Sequence, residues 1–356
     1  ASTIHLTDGD WSFRPSTATP DVRVAPPEVA WRDRFAAALA DELDLATSTW
    51  FVELIDAPID PIADGHHAAA VVLVAGCHAT FDGIGMTALL AELVTDAPIE
   101  PHAAAIAVAL EDRLGPATIA PAAGTLDAAD RWPVEGHAPV DHRSLAFVDR
   151  RIDGPTMHAL HARARAEHTP IAAALAVAAA RARRATVGHG PTVGFNMPFD
   201  LRGRVDPPFP ADLVGSYFGR AHLYADGDAA DRDPWAESRR LDGALHVEIG
   251  ATSEPAPWDA SSVRSLVSAL CDPDRASFDL DHLLTSLGRI DLGPHAIGAW
   301  FTTGQTTGLE AFVVSAASAT DALDLGIAWP RPLVDDATGL AFADAFVDEL
   351  EELIRV

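Results

Sequence analysis

Lysine is absent from this 356-residue chain, so all 25 of its basic residues are arginines. Without lysine the protein cannot form a Schiff base through a side-chain amine, and it cannot use a P-loop lysine or a lysine base. Acidic residues number 52, which gives a formal net charge of −27. This charge argues against nucleic acid as the ligand, because phosphate contacts need a basic surface.

Cysteine and long apolar runs are also scarce. The only cysteines, Cys77 and Cys271, are too few for a disulfide framework and lack metal-ligand spacing. The longest apolar run, residues 171–180, is shorter than the about 20 residues that a membrane span needs. The first residues lack the basic and apolar regions of a signal peptide. We therefore expect a cytoplasmic protein without a membrane span and without a metal site.

Length and hydrophobic patterning predict a two-lobed α/β protein. The composition is 48% hydrophobic and 22% charged, which is ordinary for a globular chain. Strand and helix patterns are mixed in both halves, which favours two α/β (α+β) lobes with mixed sheets. We place the N-terminal lobe at residues 1–143, with an interlobe linker at 115–143, and the C-terminal lobe at residues 144–356.

Local patterns predict individual elements within these lobes. The first 27 residues are polar and proline-rich, so we expect an extended arm or one edge strand there. Alternating apolar residues predict strands at 213–225 and 297–303. Helical spacing predicts helices at 101–114 and 261–270.

The most informative stretch is CHATFDG, at residues 77–83. An apolar strand pattern ends at Gly76, and a helical pattern begins after Asp82. The unperturbed pKa of histidine is about 6.5, so a neutral His78 imidazole can take a proton near neutral pH. Asp82 can accept hydrogen bonds at the start of the helix or pair with an arginine. From these residues alone, a buried histidine bonded to backbone is the plainer interpretation of His78.

HATFDG has the HxxxDG form of the condensation-domain superfamily, the chloramphenicol-acetyltransferase-like acyltransferases. Three segments of the second half also resemble that family: NMPFDLRGRVDPP, DLVGSYFGRAHL and TSLGRI. The resemblance spans roughly residues 50–356. It is nearest to the stand-alone, ester-forming, polyketide-associated acyltransferases.

The resemblance implies two chloramphenicol-acetyltransferase-like lobes that form a V around a central tunnel. A thioester donor, either acyl-CoA or a phosphopantetheinyl carrier protein, would enter from one face. A hydroxyl or amine acceptor would enter from the other, and no tightly bound cofactor is implied. His78 would be the general base for acyl transfer in secondary-metabolite or lipid biosynthesis.

The resemblance also implies roles for residues around His78. Asp82 would be structural and paired with Arg202, and Gly83 would support the same turn. Backbone N–H groups near Gly83 would help to hold an oxyanion. Further oxyanion or substrate contacts would come from Ser286 and Gly288.

Two groups of charged side chains have competing interpretations. Asp279, Asp281 and His282 are more typical of a polar turn than of a site. Five arginines lie on a pair of second-lobe helices, where a solvated face with salt bridges is the plainer interpretation. The alternative is a docking patch for an acyl carrier protein or for CoA phosphates. These arginines are Arg163, Arg165, Arg181, Arg183 and Arg184.

The sequence departs from the family pattern in three ways. Cys77 stands where a second histidine commonly precedes the catalytic one, the DFGWG motif is absent, and the chain before His78 is short. Two alternatives to acyl transfer therefore stay open. One uses the same fold and His78 for an intramolecular cyclisation, elimination or epimerisation of a polyketide-like substrate. The other is a non-catalytic binding module.

Overall fold

The computed structural model describes residues 2–7, 10–15, 21–41, 43–62, 65–95, 126–127, 130–188, 190, 192–210, 213–251, 277–304 and 308–356. The helices expected at 101–114 and 261–270 lie outside these ranges, as does Cys271. Within the described part, no helix is both long enough and apolar enough to cross a membrane.

The described residues of the N-terminal lobe form a two-stranded hairpin, a three-stranded sheet and two helices. The hairpin pairs β1 with β2 in antiparallel fashion. In the three-stranded sheet, β3 runs parallel to β4, and β4 runs antiparallel to β5. The elements are β1 Ser2–Thr7, β2 Asp10–Pro15, β3 Asp21–Val24, α1 Trp31–Ala40, β4 Trp50–Asp56, β5 Ala70–Gly76 and α2 Gly83–Val94.

The C-terminal lobe is built on a six-stranded mixed sheet in the order β6-β11-β10-β9-β7-β8. The β9 strand runs parallel to both of its neighbours, and the other pairs are antiparallel. The interior strands β10 and β11 of this sheet are buried on both faces, which explains why most of their residues are apolar. The strands are β6 Ser144–Ile152, β7 Thr192–Asp200, β8 Phe218–Asp226, β9 Leu280–Arg289, β10 Glu310–Ser318 and β11 Leu323–Arg331.

Helices cover one face of this sheet and form the main hydrophobic core with it. The α4 helix is rich in alanine, which lets it pack closely against the last helix. That last helix buries Phe342, Phe346 and Leu350. The helices are α3 Gly154–Ala166, α4 Ile171–Val187, α5 Gly227–Arg232, α6 Pro234–Ala251 and α7 Asp336–Arg355, with 3₁₀ turns at Val140–His142 and Arg202–Arg204.

The two lobes meet where α1 packs against β6. The Trp31 ring contacts the Phe147 ring edge-on, with centroids 6.4 Å apart. The Phe35 ring contacts Phe147 at a tilt, with centroids 4.3 Å apart. Beside these rings, Arg32 forms an ion pair with the buried carboxylate of Asp149. This apolar and ionic contact holds the base of the N-terminal lobe against the larger sheet.

Three predicted elements differ from the structure. The described residues among the first 27 form three strands, where one strand or an extended arm was expected. The predicted strand at 213–225 begins only at Phe218. No strand is present at 297–303. There the alternating apolar residues reflect packing of the segment on its neighbours: Trp300 packs on Trp31 of the other lobe, and the Phe301 carbonyl accepts a hydrogen bond from Ser315.

Part of the predicted linker packs as core. Trp132 is fully buried, and its ring contacts Phe312 and Phe342 with centroids 4.8 Å and 6.1 Å away. The Glu135 N–H donates to the Leu333 carbonyl at 2.9 Å. Described residues of this segment therefore belong to the packing of the C-terminal lobe.

Candidate active site

His78 lies in the turn that joins β5 to α2. The ladder between β4 and β5 ends at Trp50 and Gly76, and the Cys77 N–H then donates to the Thr49 carbonyl at 2.8 Å. The Thr80 N–H donates back to the Cys77 carbonyl at 2.8 Å, which closes the turn. His78 is exposed at this turn.

The His78 imidazole is oriented by a backbone acceptor. Its Nδ1 lies 2.9 Å from the Phe81 carbonyl oxygen. A carbonyl oxygen can only accept, so Nδ1 carries the proton in the neutral ring and Nε2 keeps its lone pair. This is the tautomer that a general base needs, with Nε2 as the basic atom.

The C-terminal lobe supplies a second contact to the same ring. Phe218, the first residue of β8, stacks on His78 with ring centroids 5.1 Å apart and an interplanar angle of 29°. The ring of His78 is therefore held at one edge by its own turn and on one face by the opposite lobe. The HATFDG motif does not include Phe218, which lies in the family-like segment DLVGSYFGRAHL, and the alternation along β8 indicates that it shares a face with later residues.

Asp82 is the N-cap of α2 and accepts four hydrogen bonds. Its Oδ1 accepts from the Gly85 N–H at 2.8 Å and from the Arg202 guanidinium at 2.9 Å. Its Oδ2 accepts from the other arm of Arg202 at 2.8 Å and from the Tyr217 N–H at 2.7 Å. Every lone pair of the carboxylate is occupied. Asp82 is therefore placed to brace the turn, and it has no free acceptor for a substrate proton.

Arg202 completes this buried pair from the C-terminal lobe. Its side chain is only 1% exposed, and the guanidinium also contacts Asp200 at 3.0 Å and the Leu213 carbonyl at 2.8 Å. Burial alone lowers the pKa of Arg202, but its hydrogen bonds to Asp82 and Asp200 outweigh burial and raise that pKa overall. The guanidinium stays charged, as a bidentate carboxylate partner must.

The segment that contains Val214 and Gly215 lies directly against the HATFDG turn. The Asp82 N–H donates to the Gly215 carbonyl at 2.8 Å. A Cβ on Gly85 would lie 3.1 Å from the backbone nitrogen and oxygen of Gly215, so two glycines allow the two backbones to approach this closely. Two of the segments that resemble the family, HATFDG and DLVGSYFGRAHL, therefore lie in contact in the folded protein.

The end of β9 approaches the same turn from another side. A Cβ on Gly83 would lie 2.9 Å from a methyl group of Leu287. Ser286 and Gly288, which flank Leu287 in β9, are exposed, and Gly288 has a positive φ of 66°. The structure thus brings the TSLGRI segment beside the first turn of α2.

Both interpretations of the five arginines, a solvated face and a docking patch, are wrong for Arg183. This side chain is 1% exposed and pairs with the buried Asp281 at 2.9 Å. Arg183 follows Ala176 by seven residues and Ala180 by three, and both are buried, so all three lie on the helix face that packs on the core. Three other arginines pair with carboxylates: Arg163 with Glu167, Arg181 with Glu349, and Arg184 with Asp228 and Asp231.

The predicted polar turn is wrong for Asp281 and His282. Both lie in β9 and are fully buried. Asp281 accepts from Arg183 and from the Gly194 N–H at 2.7 Å, whereas the His282 ring stacks on Phe342 at 5.0 Å. In the sequence these residues resemble a turn because Asp279, Asp281 and His282 are polar. In the structure the buried Asp281 carboxylate has an arginine and a backbone N–H as partners. The His282 ring instead packs among aromatic side chains, and neither of its nitrogens has a hydrogen-bond partner among the described residues.

Comparison with solved structures identifies the fold. The acetyltransferase TRI3, a trichothecene 15-O-acetyltransferase from Fusarium sporotrichioides, aligns with a TM-score of 0.70 at 12% identity, over 99% of this chain and 82% of that one. The condensation domain of the monacolin K polyketide synthase MokA aligns with a TM-score of 0.63 at 11% identity, over 99% and 85%. This chain has the condensation-domain fold. No family model and no curated protein sequence matches it.

A third similar structure shows how widely the condensation-domain fold is used. The epimerization domain from the third module of tyrocidine synthetase B aligns with a TM-score of 0.60 at 15% identity, over 99% of this chain and 85% of that one. At these identities the comparisons establish the fold alone, and fold does not by itself determine chemistry. The choice of reaction depends on the residues around His78.

Proposed function

We propose that this protein is an acyltransferase that moves an acyl group from a thioester to a hydroxyl or amine acceptor, with His78 as the general base. The main support for this proposal is the orientation of the His78 imidazole ring. The Phe81 carbonyl holds the proton on Nδ1, and Nε2 of the exposed ring is left as the proton acceptor. The fold, shared with a known acetyltransferase and with a condensation domain, supports the same reaction class.

In the proposed reaction, Nε2 of His78 takes the proton of the acceptor as its oxygen or nitrogen attacks the thioester carbonyl. The carbonyl electrons move onto oxygen, and a tetrahedral intermediate forms. When it collapses, the carbon–sulfur bond breaks, and the imidazolium returns the proton to the leaving thiolate. Positioned acid–base catalysis of this kind contributes about 10² to 10⁴ in rate.

The oxyanion of that intermediate needs hydrogen-bond donors. We assign this role to backbone N–H groups of the first turn of α2 near Gly83, which have no acceptor one turn earlier in the helix. Ser286 and Gly288 lie on the strand end that packs against this turn, and we assign them to oxyanion or substrate contacts. A single donor of this type is worth about 10² to 10³ in rate.

Asp82, Gly83 and Arg202 support the site in this proposal. The carboxylate of Asp82 fixes the start of α2 and, through Arg202, ties it to the C-terminal lobe. The donor is an acyl-CoA or an acyl carrier protein, with substrates reaching His78 from opposite faces of a central tunnel. An acyl carrier protein would dock on the exposed parts of α3 and α4, near Arg163, Arg165, Arg181 and Arg184. The reaction would belong to an ester-forming pathway of secondary-metabolite or lipid biosynthesis.

A base in the same position also suits epimerisation. In that reaction Nε2 would remove the α-proton of a bound thioester, and no acceptor would be needed. The similarity to the epimerization domain of tyrocidine synthetase B makes this reaction a second candidate. The two candidates differ in one product, because acyl transfer releases a free thiol and epimerisation does not.

The test is a panel of acyl-pantetheine thioesters with hydroxyl and amine acceptors, followed by thiol release and by intact mass of the products. We expect His78→Ala to lower turnover by at least about 10². His246, an exposed histidine on α6, provides the matched control, and His246→Ala should keep full activity. Equal turnover in His78→Ala and the parent protein contradicts the base assignment. Deuterium uptake at the α-carbon without thiol release would select epimerisation.

A further inference from the structure

The β8 strand carries a row of side chains that starts at the His78 ring. Successive residues of a strand point to opposite faces, so Phe218, Arg220, His222 and Tyr224 share one face. Residues between them, such as Ala221 and Leu223, are buried in the core of the C-terminal lobe. The row, which we call the β8 stripe, therefore extends from the candidate active site along an edge strand.

Arg220 is the charged member of the β8 stripe nearest His78. Its guanidinium carbon lies 5.6 Å from the centre of the Phe218 ring, which is itself 5.1 Å from the centre of the His78 ring. The separation between the guanidinium carbon and the His78 ring therefore cannot exceed the sum of these two distances. Arg220 is exposed, and its charge is available on the side of the strand that meets the histidine.

In the part of the chain that the structure describes, the carboxylates close to the stripe do not form an ion pair with Arg220. Across the strand pair, Asp200 stands opposite Phe218, but it forms an ion pair with Arg202 at 3.0 Å. The negative charge of Glu248, on α6, favours the protonated forms of His222 and Tyr224, and in His222 this effect on the pKa is smaller than that of burial. Among the residues that the structure describes, no carboxylate lies within 4.0 Å of the Arg220 guanidinium. Most described arginines of this acidic chain do have such a partner.

The next residue of the stripe is influenced by the same charge. Burial, followed by the positive charge of Arg220, lowers the pKa of His222. The neutral His222 imidazole does not compete with Arg220 for an anion, and it can donate or accept a hydrogen bond. One fixed cation and one neutral polar ring thus lie in sequence beyond the Phe218 ring.

We propose that Arg220 binds a carboxylate carried by one of the two substrates, so that the enzyme prefers an acidic acyl group or an acidic acceptor. A guanidinium matches a carboxylate with two parallel hydrogen bonds. In a protein of net charge −27, an anion needs a local cation to enter. An extended phosphopantetheine arm with its thioester at His78 would place its phosphate farther from His78 than Arg220 lies, so we assign the carboxylate to the acyl group or to the acceptor. This inference rests on the proposed acyl transfer.

The test uses two matched substrate pairs that differ only in the carboxylate. The donors are succinyl- and butyryl-pantetheine, and the acceptors are 3-hydroxybutyrate and its methyl ester. Binding is measured by titration calorimetry in the His78→Ala background, where no turnover is expected, with and without Arg220→Gln. Arg232→Gln is the matched control, because Arg232 is exposed on α5 beyond the far end of β8. It removes the same charge at a distance from His78.

We expect the acid of one pair to bind about 10- to 100-fold more tightly than its neutral partner, since hydrogen bonds to charged groups are stronger than neutral ones. Arg220→Gln should abolish that preference, whereas Arg232→Gln should keep it. The pair that shows the effect identifies whether donor or acceptor carries the acid. Equal binding within both pairs, no measurable binding of either acid, or a preference that survives Arg220→Gln overturns the proposal. If the parent protein transfers no acyl group from any of these donors but the carboxylate preference is present, the proposed reaction is rejected and the binding site is kept.

Discussion

The Asp82 carboxylate and the Arg202 guanidinium, 120 residues apart in the chain, form a buried two-bond ion pair with nitrogen–oxygen distances of 2.8 Å and 2.9 Å. Asp82 caps the helix that follows His78, and Arg202 lies in the 3₁₀ turn after β7. The pair therefore connects the turn of the candidate base to the sheet of the opposite lobe.

Removal of Arg202 should destabilise the whole protein. Arg202→Ala leaves the Asp82 carboxylate buried with only its backbone donors, a loss of about 3–5 kcal/mol for a broken buried pair. Urea denaturation should show this loss. Arg289 pairs with Asp321 on the surface, so Arg289→Ala should change stability by less than about 1 kcal/mol. An Arg202→Ala protein with an unchanged denaturation midpoint contradicts the bracing role of the pair.

Phe218 should affect turnover more than stability. Phe218→Leu keeps an apolar side chain but removes the stacked ring from His78, and such ring pairs are worth about 0.5–1.5 kcal/mol. We expect kcat to fall about two- to tenfold with a nearly unchanged KM. Tyr224→Leu, which removes an aromatic ring farther along β8, should leave kcat close to that of the parent protein. A change in melting temperature with unaltered kcat would show that Phe218 only packs.

His282 should make the protein sensitive to acid. Burial, followed by the charge of Arg183, lowers the pKa of His282 well below 6.5. The unfolded chain therefore binds a proton that the folded protein does not, so stability falls as the pH drops below about 6.5. His282→Phe removes this dependence, and the slope of unfolding free energy against pH should flatten by up to about 1.4 kcal/mol per pH unit.

The same substitution should stabilise the protein at neutral pH. Neither ring nitrogen of His282 has a hydrogen-bond partner among the described residues, and the ring is surrounded by aromatic side chains. An unsatisfied buried polar group costs about 1–3 kcal/mol. His142→Gln, at an exposed position, should leave the pH slope unchanged. Parallel pH curves for His282→Phe and the parent protein would contradict the argument.

A comparison of single and double variants should show that Arg183 and Asp281, the second buried ion pair, are energetically coupled. Arg183→Leu alone leaves the Asp281 carboxylate buried without its cation, and it should cost about 3–5 kcal/mol. Adding Asp281→Asn removes the uncompensated charge and keeps an acceptor for the Gly194 N–H. The double variant should therefore be more stable than Arg183→Leu by denaturant unfolding. Additive losses would show that the two side chains are not coupled.

Parts of the site follow from local sequence. The strand that ends at Gly76, the turn with His78 and the helix capped by Asp82 were all predicted, because apolar period and capping chemistry act over a few residues. The pairing of Asp82 with Arg202 was predicted from the family resemblance, and the structure shows that contact. The roles of His78, Ser286 and Gly288 stay predictions for experiment.

Other features depend on partners that are distant in the chain. Arg183, Asp281 and His282 look solvent-facing in the sequence because they are charged or polar, but their burial depends on Gly194, Trp132 and Phe342 from separate elements. The apolar alternation at 297–303 was interpreted as a strand. In the structure Trp300 packs on Trp31 across the lobe boundary, and the Phe301 carbonyl accepts a side-chain hydrogen bond from Ser315, so the described residues of this segment form no strand ladder.

The sequence by itself determined the lysine-free, acidic character of the chain and the local strand–histidine–helix turn, since these need only composition and short-range patterns. Only the tertiary structure decided which side chains surround His78. Phe218 stacks on the imidazole, and Arg220 lies beyond it, because β8 of the opposite lobe presents alternate residues to that turn. Such a face is set by the packing of two lobes, and no single segment of the chain encodes it.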